Sequence, residues 1–299
     1  MKSKIKIYTY TWNMNFVLSL NTALAKLYNH VKNRDYDLII LSFQEFSIFT
    51  DISSIKYYFK NYNMHAKISS GLYTVILSRI KVEIDIYLKK VYYFLRYPKG
   101  FIATSIKIMH GPHLVHINCH LIADEINHSE RINEFIKMIK FLKHWKLDCN
   151  YIFLTGDFNF RMTKKCLNYS LGYKYDQATE LFKIYSALIE APIKFKPTYK
   201  YLNGSNDYIS NRIPSWCDRI LLFSCTNDIK LNNYKPYNNV LDSDHKPVGC
   251  SIIIKNKFNS FLNILENFSK SEKISIIGSI LTYIKSCMYY FKVLWLNDF

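Results

Sequence analysis

Apolar and polar positions divide most of the chain into strand-length runs separated by two long amphipathic stretches. Residues 4–11 alternate, Ile5 and Ile7 against Lys4 and Lys6, and predict a half-buried strand that ends in Trp12-Asn13. Residues 18–34 place Leu20, Ala23, Leu24, Leu27, Tyr28 and Val31 at helical spacing. Residues 37–43 (D-L-I-I-L-S-F) are almost continuously apolar, as in a strand covered on both faces, and run into Gln44-Glu45. Further strands are predicted over 72–78, 82–88, 101–109 and 114–119, the last ending in His120. Residues 126–145 predict a second helix, with Ile132, Phe135, Ile136, Ile139 and Leu142 on one stripe. Tyr151 to Leu154 form a short buried run that gives way at Thr155-Gly156, and strands over 218–223 and 248–254 close the series. Strands interleaved with helices imply a layered α/β or α+β fold. Repeats, a low-complexity linker and a break in composition are all missing before about residue 255, so one domain is expected over 1–255.

The polar residues gather where the strands stop. Asn13, Glu45, His120, Asp157 with Asn159, and Asp244 with His245 each follow or flank a predicted strand, and ligand sites of layered α/β proteins lie at such ends. If the chain stays extended past Gly156, Asp157 and Asn159 project to one face and could orient a water. The plainer alternative there is an Asx turn, and each of the other residues, taken alone, is ordinary turn or cap chemistry. Five such places with residue types suited to one reaction make a shared structural explanation weak.

Charge narrows the partners. Lys and Arg number 40 against 23 Asp and Glu, a net charge of +17, which favours nucleic acid, a phosphorylated small molecule or an anionic membrane face. Part of that basicity reflects a general abundance of Lys, Asn, Ile and Tyr. Seven cysteines without a C-x-x-C pair fit a reducing compartment and argue against structural zinc. The first residues, M-K-S-K-I-K-I-Y-T-Y, lack the apolar segment of a signal peptide, so a cytoplasmic protein is expected. Neither a C-x5-R loop nor a P-loop is present. Glu45 and Asp244, with the Asn13 amide, offer hard oxygen ligands of the kind that hold Mg²⁺ when a phosphate completes its shell. Asp157, oriented by Asn159, could take a proton from water, and His245, fixed by Asp218, could donate to a phosphate oxygen. This set suits metal-assisted phosphoester hydrolysis without a covalent intermediate.

Ordered along the chain, T-W-N (11–13), Q-E (44–45), K-G (99–100), C-H-L (119–121), G-D-F-N-F-R (156–161), P-T-Y-K-Y (197–201), R-I-P-S-W-C-D-R-I-L (212–221) and S-D-H-K-P-V (243–248) resemble the inositol polyphosphate 5-phosphatases, within the DNase I-like Mg²⁺-dependent phosphoesterases. The resemblance covers about residues 4–255. It implies a four-layer α/β sandwich, two mixed sheets face to face with helices outside. It implies Glu45 as principal Mg²⁺ ligand with Asn13 and Asp244 near the metal, Asp157 as the water-activating residue beside Asn159, and His120 and His245 on the scissile phosphate, with Asp218 orienting His245. Lys99, Arg161, Tyr199, Lys200 and Arg212 resemble the residues around the substrate, Tyr199 and Lys200 near the inositol 4-phosphate. The sequence departs from the pattern at Asp124, where relatives carry a second His, at Ser210-Asn211, where a Lys commonly precedes the Arg, and at Ser215, where Ala is usual.

The expected substrate is therefore a phosphoinositide, phosphatidylinositol 4,5-bisphosphate first, with soluble inositol polyphosphate as the alternative. A superfamily endonuclease or a non-catalytic membrane-binding module are rival readings; nucleic acid is not the expected partner, and a monomer is expected. Residues 274–296 contain only Lys285 and Lys292 as charges, and carry Ile277, Ile280, Leu281, Ile284, Met288, Phe291 and Trp295 on one stripe. This tail (256–299) can be read as spanning a bilayer, as lying in its interface, or as packing on the catalytic domain. The resemblance favours the membrane options, because some relatives are held at internal membranes by C-terminal segments. The ending N-D-F lacks a prenylation box.

Overall fold

Strand alternation sorts the buried side chains into three apolar layers, and the architecture follows from how those layers are filled. The structure, a computed structural model, describes residues 2–256 apart from 70, 95–96, 145–148, 165–172 and 225–227. The tail reading lies outside the described residues, among which no helix is long and apolar enough to cross a membrane.

The strands are β1 (Lys4–Asn13), β2 (Leu38–Gln44), β3 (Asn63–Ser69), β4 (Leu72–Ser78), β5 (Val82–Phe94), β6 (Tyr97–Ile108), β7 (His113–His120), β8 (Tyr151–Asp157), β9 (Leu188–Glu190), β10 (Asp218–Ser224), β11 (Lys230–Pro236) and β12 (Val248–Lys255). They form two six-stranded mixed sheets, ordered β11-β12-β1-β2-β4-β3 and β5-β6-β7-β8-β10-β9. Each sheet is built around one parallel pair, β1 with β2 and β7 with β8, and the other pairings are antiparallel. Helices α1 (Asn21–Val31), α2 (Ser53–Tyr58), α3 (His128–His144) and α4 (Thr179–Ile184) complete the described elements.

Between the sheets lie Ile5, Ile7, Leu38, Ile40, Ile76, Ile252 and Ile254 of the first and Ile106, Leu114, Phe153, Ile220 and Leu222 of the second. Their neighbours in sequence face outward. Trp12, Ile39, Leu41 and Val75 pack on Leu24 and Leu27 of α1 and Ile55 of α2. Val115, Ile117, Ile152 and Leu154 pack on Phe135, Met138 and Ile139 of α3. Helix, sheet, sheet and helix are thus four layers, as expected. Three strands are missing from the sequence pattern, all at sheet edges: β3 and β11 are mostly exposed and so carry no apolar signal, and β9 is only three residues long. The predicted helices shorten by a few residues to α1 and α3, and the 82–88 strand extends to Phe94.

The inner-facing positions change character along each central strand. Reading toward one end of the sandwich, the series are Ile5-Ile7-Thr9-Thr11-Asn13, Leu38-Ile40-Ser42-Gln44, Leu114-His116-Asn118-His120 and Tyr151-Phe153-Thr155-Asp157. All of these are buried. The inter-sheet layer is apolar at one end and polar at the other, and the polar end is where the site forms.

Candidate active site

Register places the strand-end residues side by side. Asn13 pairs with Gln44 across β1 and β2, His120 with Asp157 across β7 and β8, and Asp157 with Asp218 across β8 and β10. The two sheets bring these pairs face to face. Asn13 Nδ2 donates to Asp157 Oδ2 at 2.9 Å and to Glu45 Oε1 at 3.2 Å. His120 Nε2 lies 3.3 Å from Asp157 Oδ2 and 3.7 Å from Glu45 Oε1. His245 Nδ1 bonds Asp218 Oδ2 at 2.9 Å while its Nε2 sits 3.8 Å from Asp157 Oδ2. Glu45, Asp157 and His245, far apart in sequence, share one cleft centred on Asp157.

The route past Gly156 differs from the extended reading. Gly156 has φ +149°, and a Cβ there would meet the Cys119 carbonyl oxygen. The strand stops at Asp157, and Asn159, with φ +56°, donates its backbone N–H to Asp157 Oδ1 at 2.9 Å. The Asx turn therefore forms, and it leaves Oδ2 facing the site. Asn159 Nδ2 donates to the Leu121 carbonyl and its Oδ1 accepts from Arg161 at 2.6 Å. Arg161 in turn lies over the Tyr199 ring at 4.3 Å, and that ring stands 4.3 Å from the His245 ring.

Electrostatics separates the roles. Burial alone would raise the Asp157 carboxyl, but His245, His120 and Lys99 outweigh it and hold the group well below the usual carboxylate range. Burial would lower His245, but Asp218 and Asp157 outweigh it and carry the imidazole up to about 9, so it is a cationic donor at neutral pH. Burial and then Lys99 push His120 toward the neutral form. Lys99 Nζ, itself buried, lies against His120 Nε2.

Residues 78–251 match the pattern of the endonuclease/exonuclease/phosphatase family 2. The chain belongs to the endonuclease/exonuclease/phosphatase family. Within it, the chain is 28% identical over 182 residues to the human phosphatidylinositol 3,4,5-trisphosphate 5-phosphatase 2, covering 50% of this chain and 14% of that protein. It is 44% identical over 82 residues to the Arabidopsis thaliana type IV inositol polyphosphate 5-phosphatase 11, covering 25% of this chain and 24% of the relative. These matches span under a quarter of the relatives' own length. In fold, the chain resembles the inositol polyphosphate 5-phosphatase domain of SPsynaptojanin, solved with inositol (1,4)-bisphosphate and a calcium ion, with a TM-score of 0.71, 21% identity, and 92% and 93% of the two chains covered.

Family membership makes the donor set informative for a metal. Glu45, with its side chain 15% exposed, and Asp157 present carboxylate oxygens toward one another across Asn13, and Asp218 Oδ1 is buried without a partner. Such hard oxygens fit a hard divalent cation. Asp157, Asp218 and His245 also bring ligand atoms within 4.8 Å of one another. Asn13 faces the carboxylates with its NH₂, its oxygen accepting from the Asn15 N–H, and Asp244 turns to Lys200, 3.3 Å away, on the Tyr199 side. Arg212 is exposed and contributes a backbone N–H to Ile209, so it does not join the cluster. Asp124 is exposed, and its carbonyl accepts from Arg131.

The partners of several residues around the site were not legible in the sequence. Thr198 Oγ1 donates to Asp218 Oδ2 at 2.6 Å, and Ser243 bonds the Asn13 carbonyl and the His245 N–H. Deeper, Asn118 of β7 crosses between the sheets: its Nδ2 reaches the Phe43 and Tyr73 carbonyls and Thr74, and its Oδ1 accepts from Gln44 Nε2 at 2.7 Å. Gln44 precedes Glu45 and Asn118 lies two before His120, so one buried amide pair sets the separation of the site's two halves. Asn118→Ala strips partners from these buried groups and releases that spacing. It is expected to lower kcat about 10- to 100-fold with KM within a few-fold, because small misplacement is costly. Steady-state kinetics checks this, and an unchanged kcat would deny the amide pair a positioning role.

Proposed function

We propose that the protein is a Mg²⁺-dependent phosphoric monoester hydrolase that removes the 5-phosphate of inositides, with phosphatidylinositol 4,5-bisphosphate as substrate and phosphatidylinositol 4-phosphate as product, at a cytosolic membrane face. The observation that carries this is Asp157 Oδ2 with His120, His245 and Asn13 all within 4 Å. Held at Glu45, the cation would neutralise phosphate charge and polarise the phosphoryl group. Asp157 would accept the proton of an attacking water. His245, kept cationic by Asp218, and Lys99 would face the phosphate oxygens, where negative charge grows. Arg161, Tyr199 and Lys200 would line the inositol side.

The 5-phosphatase relatives support the substrate class, and the net charge of +17 supports an anionic lipid surface. Phosphate release should be measured from a panel of inositides, lipid and soluble, and from duplex DNA. Release from 5-phosphorylated inositides alone, abolished by chelation and restored by Mg²⁺, is expected. Higher turnover of free inositol trisphosphate than of vesicle-embedded lipid would instead select the soluble substrate. DNA cleavage without phosphate release would select the nuclease reading.

A further inference from the structure

Three consecutive residues, Asp244, His245 and Lys246, each meet the segment 197–209, which carries Tyr199 and Lys200 to the edge of the cleft. Asp244 Oδ2 stands 3.3 Å from Lys200 Nζ, and the His245 ring 4.3 Å from the Tyr199 ring. Lys246 is the third, and it has no part in the proposed chemistry. It is fully buried, so its ammonium cannot touch substrate. Nζ donates to the Ser205 carbonyl at 3.1 Å and to the Val240 carbonyl at 3.0 Å, and it lies 4.7 Å over the Tyr201 ring. Two carbonyls and a ring face thus hold a cation that, when buried, ordinarily takes a carboxylate, an arrangement that costs stability.

The segment turns back on itself with little apolar packing at its tip. Residues 202–204 and 206–207 are exposed. Leu202 N donates to the Asp207 carbonyl at 2.8 Å, and Ile209 N closes the base of the turn on the Lys200 carbonyl at 3.0 Å. Backbone bonds also tie it to 241–246: Tyr201 N to the Asp244 carbonyl, Gly204 N to the Leu241 carbonyl, and Lys246 N to the Thr198 carbonyl. We infer that Lys246 is a positioning residue for substrate binding: its ammonium clips the turn at Ser205 to Val240 and so holds Lys200 on the inositol side of the cleft. The inference rests on the hydrolase reading and deepens it by naming what sets the place of Lys200. Without the clip a turn of mostly exposed residues is free to lift, and the Ile209–Lys200 bond at its base carries that motion to Lys200.

The test is a double-mutant cycle on the full chain, with Lys246→Met, Lys200→Met and the two combined, read as steady-state hydrolysis of free inositol trisphosphate. Lys246→Met keeps the apolar stem and loses the ammonium. It is expected to raise KM about 10-fold with kcat within about 3-fold, because the binding geometry is disturbed and the reacting groups are not. Since Lys246 acts through Lys200, the double variant should be no more than about 2-fold worse than Lys200→Met alone. Lys246→Arg keeps the cation and should hold KM within about 3-fold of wild type. Lys246→Gln takes the place of the methionine variant if that one does not fold. An unchanged KM in the folded neutral variant overturns the inference. Losses that multiply in the double variant also overturn it, as does a fall confined to kcat, which would send the effect through His245. An equal rise of KM in Lys246→Arg overturns it too, because the cation would then not matter. All of these leave the hydrolase reading standing; wild type inert on every inositide overturns that reading and this inference with it.

Discussion

Asp157→Asn is expected to lower phosphate release from 5-phosphorylated inositides by about 10³-fold, roughly 4 kcal/mol of transition-state stabilisation. The substitution keeps the shape of the side chain but removes both its proton affinity and its charge. In the native site that charge is unusually secure: Asn13 Nδ2 and the Asn159 N–H hydrogen-bond its two oxygens, and His120 and His245 stand within 4 Å. An amide can satisfy one of those donors and not the other. Substrate binding should suffer less, because Lys99, Arg161 and Lys200 are untouched, so the loss is expected in kcat with KM within a few-fold. Circular dichroism and thermal unfolding check that the fold persists. Retention of a tenth or more of wild-type kcat would remove Asp157 from the role of base.

Arg219→Met is expected to destabilise the protein by about 3–5 kcal/mol, a fall of about 10 °C or more in Tm. Arg219 is fully buried. It donates to Glu190 Oε2 at 2.8 Å, to Asp176 Oδ2 and to the Trp216 carbonyl, and Tyr234 donates to the other Glu190 oxygen at 2.8 Å. Methionine fills similar space but leaves two buried carboxylates without their cation. Burial already pushes the Glu190 carboxyl up, and Arg219 is the chief influence opposing it. Without Arg219 the folded-state pKa rises further above the unfolded value. The folded state then holds more protons than the unfolded one in that window, so stability falls as pH rises. The deficit of the variant should therefore narrow as pH is lowered from neutral toward the ordinary Glu range. Urea unfolding at several pH values measures this. A deficit under about 1 kcal/mol, or one independent of pH, would mean the carboxylates find other compensation.

Much of the molecule can be read from its pattern, and the failures have physical causes. Residues 72–78 are predicted and found as β4 because both faces of that strand are covered, which leaves an unbroken apolar run. β3 and β11 escape because edge strands need not be apolar. Strand ends point to Asn13, Glu45, His120, Asp157 and His245 because a polar residue closing a buried strand is conspicuous. Gln44 and Asn118 are equally polar, yet their meaning depends on a partner in the other sheet. Thr198 stands within P-T-Y-K-Y, yet its role does not show, since a threonine holding a carboxylate looks like any other.

The sequence alone determined the central strands, the layered class and the residue types at the strand ends, because burial on a pleated strand leaves a record in the apolar pattern. Tertiary structure decided what those ends do together. It faced two parallel pairs across one polar edge, turned Asp157 inward through the Asn159 bend, and gave Asp244 to Lys200 rather than to the carboxylates. Such contacts join residues separated by as much as 233 positions, as when the Trp12 indole reaches the His245 carbonyl. Local pattern carries no record of them; only the packing of the two sheets fixes which ends meet.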